Sequence, residues 1–204
     1  MPETPLDKTS LLAALPIADR ELAIRPWRRM DIDRRAEWPP YPEPYRGFNF
    51  PARSLGPAQR DLWFAERDSL PDRLNLTVDH SDQLCIAYFA LTEIDFVARA
   101  VGNMGIRVAP HFCSRGLGTR ALRRIVDWAF AAGLQTIRLD VAASNRRAVR
   151  SYEKAGFAIT GEFWRDDHAL RAVNLADPRH DDLRPHVRFD PDPQLRFWWM
   201  QVRR

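Results

Sequence analysis

The 204-residue sequence predicts one α/β domain built on a mixed sheet. Three observations carry that expectation. A strand-like segment at 102–109 runs through a glycine-containing loop into an amphipathic helical pattern and then a further strand at 136–141, a βαβ-like unit. Two apolar segments, 74–78 and 84–91, flank the turn-prone residues Asp79, His80, Ser81 and Asp82, so a hairpin is the natural connection. The segment 194–202 is dense in Leu, Phe, Trp and Val and has the composition of a strand.

Taken in order, residues 1–20 carry no clear periodicity and are expected as a loosely docked arm, with the domain proper at 21–204. Residues 21–27 roughly alternate before Pro26 and read as an edge strand. A short helix is expected over 28–37, after which Pro39, Pro40, Pro42 and Pro44 enforce an extended stretch. Its aromatic residues Tyr41, Tyr45, Phe48 and Phe50 are expected either to shape a pocket or to pack the loop down. Helix resumes over 57–67, with Pro57 in the first turn, where a missing N–H is tolerated, and with Leu62, Trp63 and Glu66 marking an apolar and a solvated face. The segment 92–99 reads as a connection between strands. After the loop at 113–119, Leu122, Ile125, Val126, Ala129 and Phe130 form one helical stripe, and Gly133 stands where a left-handed C-cap belongs. A second helix is expected from Ser144, as N-cap, to Gly156. A strand follows at 157–163, expected to pair with 194–202 across an irregular insertion at about 165–193, where a short helix is expected near 168–175.

A net charge of +4 favours anionic partners, but the basic residues are scattered and no RNA-binding signature accompanies them, so nucleic acid is not expected. No apolar run suits a membrane span, and the short stretch 11–18 lacks the flanks of a signal peptide. Cys85 and Cys113 form neither a CxxC pair nor a disulfide framework, which suits a cytoplasmic protein. The histidines show no metal-ligand spacing, and no metal is expected. Monomer and homodimer are both open.

The loop carries the chemistry. Gly116 and Gly118 flank one apolar residue at the start of an amphipathic helix, where unpaired backbone N–H groups and the helix dipole favour a phosphate. A plain tight turn is the structural alternative. GxxxxGK[ST] is absent, which excludes a nucleoside-triphosphate P-loop here. A dinucleotide fingerprint survives longer: residues 116–121 fit GxGxxA, and Asp140 ends the next strand, where a ribose-binding acid is expected. Against it, residues 110–115 separate strand from glycine, and little chain remains for further βα units.

Residues 108–119 resemble the coenzyme A-binding motif of the GCN5-related N-acetyltransferases, normally Gln or Arg, two residues, Gly, one residue, then Gly or Ala. Cys113 stands at the Gln/Arg position, which replaces one side-chain contact and leaves the backbone cradle. Residues 145–157 look like that family's N-x-x-A-x-x-x-Y-x-x-x-G-F segment, with Asn145, Ala148, Tyr152, Gly156 and Phe157 filling it. Residues 91–95 and 105–108 are similar to the branch that includes ribosomal-protein acetyltransferases, and the resemblance covers about 21–164. It implies a mixed, mainly antiparallel sheet, splayed in the middle and flanked by helices, with acetyl-CoA as cosubstrate and a small-molecule or protein amine as acceptor.

The resemblance also implies roles. Ile106, Arg107 and Val108 would offer backbone groups to pantetheine, and Cys113, Ser114, Arg115, Gly116, Leu117, Gly118 and Thr119 would cradle the pyrophosphate. Asn145 would contact the cofactor or serve as a helix cap. Tyr152 would protonate the departing thiolate or be a core tyrosine. Glu93, with Asp95, is the nearest carboxylate for a general base, or an ordinary surface acid. A nicotinamide-dependent oxidoreductase and a non-catalytic acyl-CoA-binding protein remain as alternatives.

Overall fold

In the computed structural model, residues 5–48 and 54–204 are described. They form helices α1 (Lys8–Ala13), α2 (Arg29–Ala36), α3 (Pro57–Ser69), α4 (Leu117–Ala131) and α5 (Arg146–Lys154) around strands β1 (Ile17–Ala18), β2 (Leu22–Pro26), β3 (Leu74–His80), β4 (Gln83–Asp95), β5 (Ala100–Val108), β6 (Thr136–Ala142), β7 (Ala158–Asp166), β8 (Val187–Phe189) and β9 (Pro193–Arg203). The strands make one sheet in the order β1-β2-β3-β4-β5-β6-β9-β7, with β8 on β9. Every pairing is antiparallel except β5 with β6.

That one parallel pairing shapes the molecule. β5 and β6 pair only at Ala100↔Thr136 and Val101↔Ile137, so the sheet splays beyond those residues. β9 inserts between β6 and β7 and pairs with both, whereas the sequence pointed only to its pairing with β7. β4 runs on through Asp95, so residues 92–95 extend the hairpin and the connection shrinks to a turn. β2, read as an edge strand, is covered by β1.

Both faces of the sheet are covered. On one, α4 buries Ala121, Leu122, Ile125, Val126 and Ala129 against Phe89, Leu91, Met104 and Leu139, each large aliphatic contributing about 1.5–3 kcal/mol. Leu11 of α1 is fully buried in the same core, so α1 is packed into the fold and not loosely docked. On the other face, Trp27, Ile32, Tyr88 and Ala90 form a smaller cluster with Trp63 and Phe64 of α3. Leu62, expected on the apolar side of α3, is 72% exposed, because Trp63 and Phe64 are the residues that turn to Trp27.

A buried ion cluster ties α2 to the strands: Arg25 meets Asp31 and Asp79, each at 2.7 Å, and Asp31 also accepts from the Arg28 N–H and the Thr77 hydroxyl. Residues 167–187 form short 3-10 turns, including His168–Ala172, that settle on β9 through Leu170 and Leu195. Among the described residues, no helix is long and apolar enough to cross a membrane, and no cluster of His, Cys, Asp and Glu could hold a metal ion.

Candidate active site

Past Val101 the inner edge of β5 has no strand neighbour. The Ala109 N–H bonds the Ile86 carbonyl at 2.7 Å. Bonding direction alternates along an antiparallel strand, so the main-chain groups of Met104, Ile106 and Val108 turn away from β4 and into the gap. A cavity of about 540 Å³ occupies this gap and runs from Arg35, Trp63 and Tyr88 past β5 to the loop before α4.

The loop owes its shape to its two glycines. Gly116 caps α4 with φ +79°, in the left-handed region that L side chains rarely adopt. Gly118 is required for space: a Cβ there would stand 2.9 Å from Cγ2 of Val108, so α4 starts directly against the end of β5. Helix α4 has 15 residues and its first N–H groups border the cavity, which makes an anion cradle. The Thr119 hydroxyl donates to Ser151 at 3.1 Å and locks α5 beside α4.

Of the residues expected from sequence, Ile106, Arg107, Val108, Cys113, Ser114, Gly116, Gly118, Thr119, Asn145 and Tyr152 line this cavity together. Arg115 instead lies over the Phe112 ring at 5.3 Å, and Leu117 packs on the core. Asn145, not Ser144, is the N-cap of α5: its side chain accepts from the Ala148 N–H at 3.1 Å while facing the cavity. Glu93 is exposed within β4 at φ +55°, its side chain folded over Gly102 with the strand register unchanged, and it lies outside the cavity lining.

Tyr152 is 5% exposed and sits edge-on to Phe157 at 5.7 Å. Burial, and then the charge of Asp140, raise its pKa well above the usual phenol range, so it holds its proton at neutral pH. Burial likewise pushes the Cys113 thiol up, with its Sγ 3.6 Å from the Val108 and Ala109 carbonyls.

Several cavity residues were not singled out from sequence for this role. Asp140 accepts from Asn103 across the gap at 3.1 Å and from Arg165 at 2.9 Å. The Tyr41 hydroxyl donates to the Val108 carbonyl, and Arg147 stacks on Tyr45 at 4.3 Å. Tyr41 and Phe48 line the cavity, as the tyrosine-rich stretch allowed, whereas Phe50 lies outside the described residues.

A splayed β5–β6 gap closing on a glycine loop at a helix N-terminus fits a long thiol-bearing nucleotide: a channel for the arm, and N–H groups for the pyrophosphate. Residues 31–157 match the model of the acetyltransferase (GNAT) family. The chain belongs to that family. Among GNAT relatives, it is 37% identical over 84 residues to the [ribosomal protein bS18]-alanine N-acetyltransferase of Salmonella typhimurium, covering 41% of this chain and 54% of that protein. It is 30% identical over 101 residues to the spermidine N(1)-acetyltransferase of Escherichia coli K12, covering 47% and 54%. The matches thus span about half the length of these curated relatives. In fold, it resembles the spermidine N-acetyltransferase of Vibrio cholerae, solved in complex with CoA and spermine, at TM-score 0.64 and 18% identity over 91% of this chain and 96% of that one.

Proposed function

We propose that this GNAT chain moves an acetyl group from acetyl-CoA to a primary amine, of a small molecule or a protein N-terminus, by direct transfer in a ternary complex. The observation that carries the reading is the two-residue β5–β6 pairing, which opens a channel beside three outward-facing main-chain positions and leads it to the glycine loop. A bound acetyl-CoA supplies the activated acyl group; the chain's residues hold it and manage the protons.

Backbone N–H groups at 116–119 hold the pyrophosphate, and the main chain of Ile106 and Val108 orients the arm. Tyr152, protonated at neutral pH, donates to the leaving thiolate. The amine must arrive neutral, and arginines along the cavity disfavour its ammonium form by like charge. Because Glu93 lies outside the cavity, Asp140 takes the role of proton acceptor through water: among the described residues it is the one carboxylate in the lining.

The test is release of free CoA thiol from acetyl-CoA across a panel of amines, for the wild type and Tyr152→Phe. Amine-dependent release that drops by about 10²–10⁴-fold in the variant is expected for a lost general acid. Binding of acetyl-CoA with no amine-dependent release, in either protein, would make the chain an acyl-CoA-binding protein instead.

A further inference from the structure

The charge of the acceptor end of the cavity narrows the acceptor itself. Among the described residues, the cavity as a whole is lined by Arg35, Arg73, Arg107 and Arg147 against the single carboxylate of Asp140; Arg147 lies over Tyr41 and Tyr45, and the other three lie toward Tyr88. That carboxylate is already engaged by Asn103 and Arg165.

Three of these arginines gather around Tyr88. The Arg35 guanidinium lies 3.7 Å over its ring, Arg73 reaches its hydroxyl at 3.4 Å, and Arg107 pairs with Tyr88 in the β4–β5 register. The Tyr88 hydroxyl is fixed by donation to Asn75 at 2.6 Å. Burial pulls the Arg35 pKa down to about 10, still charged at neutral pH, and lowers that of Arg107. Two residues before Arg107 on β5, Gly105 has no described atom within 4 Å of where a side chain would begin, which leaves room beside the strand among the described residues.

A polycation entering here would meet like charge with one occupied counter-ion. An anion would meet planar guanidinium groups suited to a carboxylate. The walls, Trp63, Tyr88, Phe48 and Phe197, suit an apolar or aromatic substituent. Resting on the acetyltransferase reading, we propose that the acceptor is a small amine that carries a carboxylate, of the α-amino acid type with an apolar side group, held by Arg73 and Arg107.

The experiment is calorimetric titration of the CoA-loaded protein with matched pairs, each apolar amino acid against its decarboxylated amine, with spermidine alongside. At least one acid should bind about tenfold or more tightly than its decarboxylated partner and than spermidine, the scale of a charge-assisted hydrogen bond. Arg73→Gln and Arg107→Gln should each reduce that preference, with Arg73→Gln keeping wild-type CoA affinity. Equal binding within every pair, or tighter spermidine, would overturn the inference while leaving acetyl transfer intact. Weaker CoA binding by Arg73→Gln with an unchanged acid preference would overturn it too, assigning the arginine to the cofactor's phosphates. Failure of the wild type to bind CoA at all would instead sink the underlying reading.

Discussion

Substituting Gly118 by alanine tests the cradle at its tightest point. The new Cβ would stand 2.9 Å from Cγ2 of Val108. Carbon atoms pack best at about 3.5–4.0 Å, so the two must part by roughly 0.6 Å or more. Val108 is β-branched and stiff at χ1, so the start of α4 has to move off β5, taking the 116–119 N–H groups with it. Overpacking of this kind costs about 1–3 kcal/mol. Gly118→Ala should therefore lower stability by about that amount in urea denaturation, and should weaken acetyl-CoA binding about tenfold in calorimetry, equivalent to about 1.4 kcal/mol. Val108→Ala deletes the clashing methyl group, so the double variant should recover much of both losses, with a coupling of about 0.5–3 kcal/mol. Strictly additive effects would show that the loop glycine is not held by contact with β5.

Other positions make separable predictions. Gly116→Ala should destabilise by about 1–2 kcal/mol through backbone strain at φ +79°, and Gly116→Asn by less, as thermal melts would show. Cys113 should react with a thiol reagent before Cys85, whose thiol burial pushes up to about 12, and acetyl-CoA should protect Cys113; mass mapping of the labelled sites decides. Asp31→Asn should destabilise by about 1–3 kcal/mol, since it removes one of the two carboxylates that pair with buried Arg25 and leaves Asp79 as its remaining counter-ion. Burial alone would raise the Asp31 pKa, but Arg25 and the Arg28 N–H outweigh it and hold it below the usual value. The sign follows: its stabilisation is present above about pH 4 and fades as pH falls through the lowered pKa, so wild-type stability should drop in acid more steeply than that of Asp31→Asn. Because Tyr152 titrates above the usual phenol range, kcat should show no fall from its ionisation below about pH 10.

What was legible in the sequence is what local chemistry demands. Glycine at 116 and 118 answers a positive φ and a missing Cβ, both written in three residues, and the N-x-x-A-x-x-x-Y spacing puts Asn145 and Tyr152 on one helix. Helices α2 to α5 and most strands follow from their own periodicity, whereas α1 lies in the first twenty residues, where no periodicity was legible. Pairings made at long range were less legible: β9 slips between β6 and β7 after an insertion, and only the partner separated by that insertion could be anticipated. Glu93 illustrates the same limit within a strand, since a positive φ of +55° at that one residue goes with a side chain folded over Gly102. The arginine cluster was invisible for another reason: Arg35 on α2, Arg73 in the turn before β3 and Arg107 on β5 carry no common spacing, so only the packing around Tyr88 brings them together.

The central claim is that the β5–β6 gap and the 113–119 loop receive acetyl-CoA. Calorimetric titration of the purified protein with acetyl-CoA, beside NADH and free adenosine nucleotides, tests it most directly. Micromolar binding of acetyl-CoA, with NADH silent and with weakening in Gly118→Ala, is the predicted result. Binding of NADH with acetyl-CoA silent would contradict the account and return the glycine loop to a dinucleotide reading.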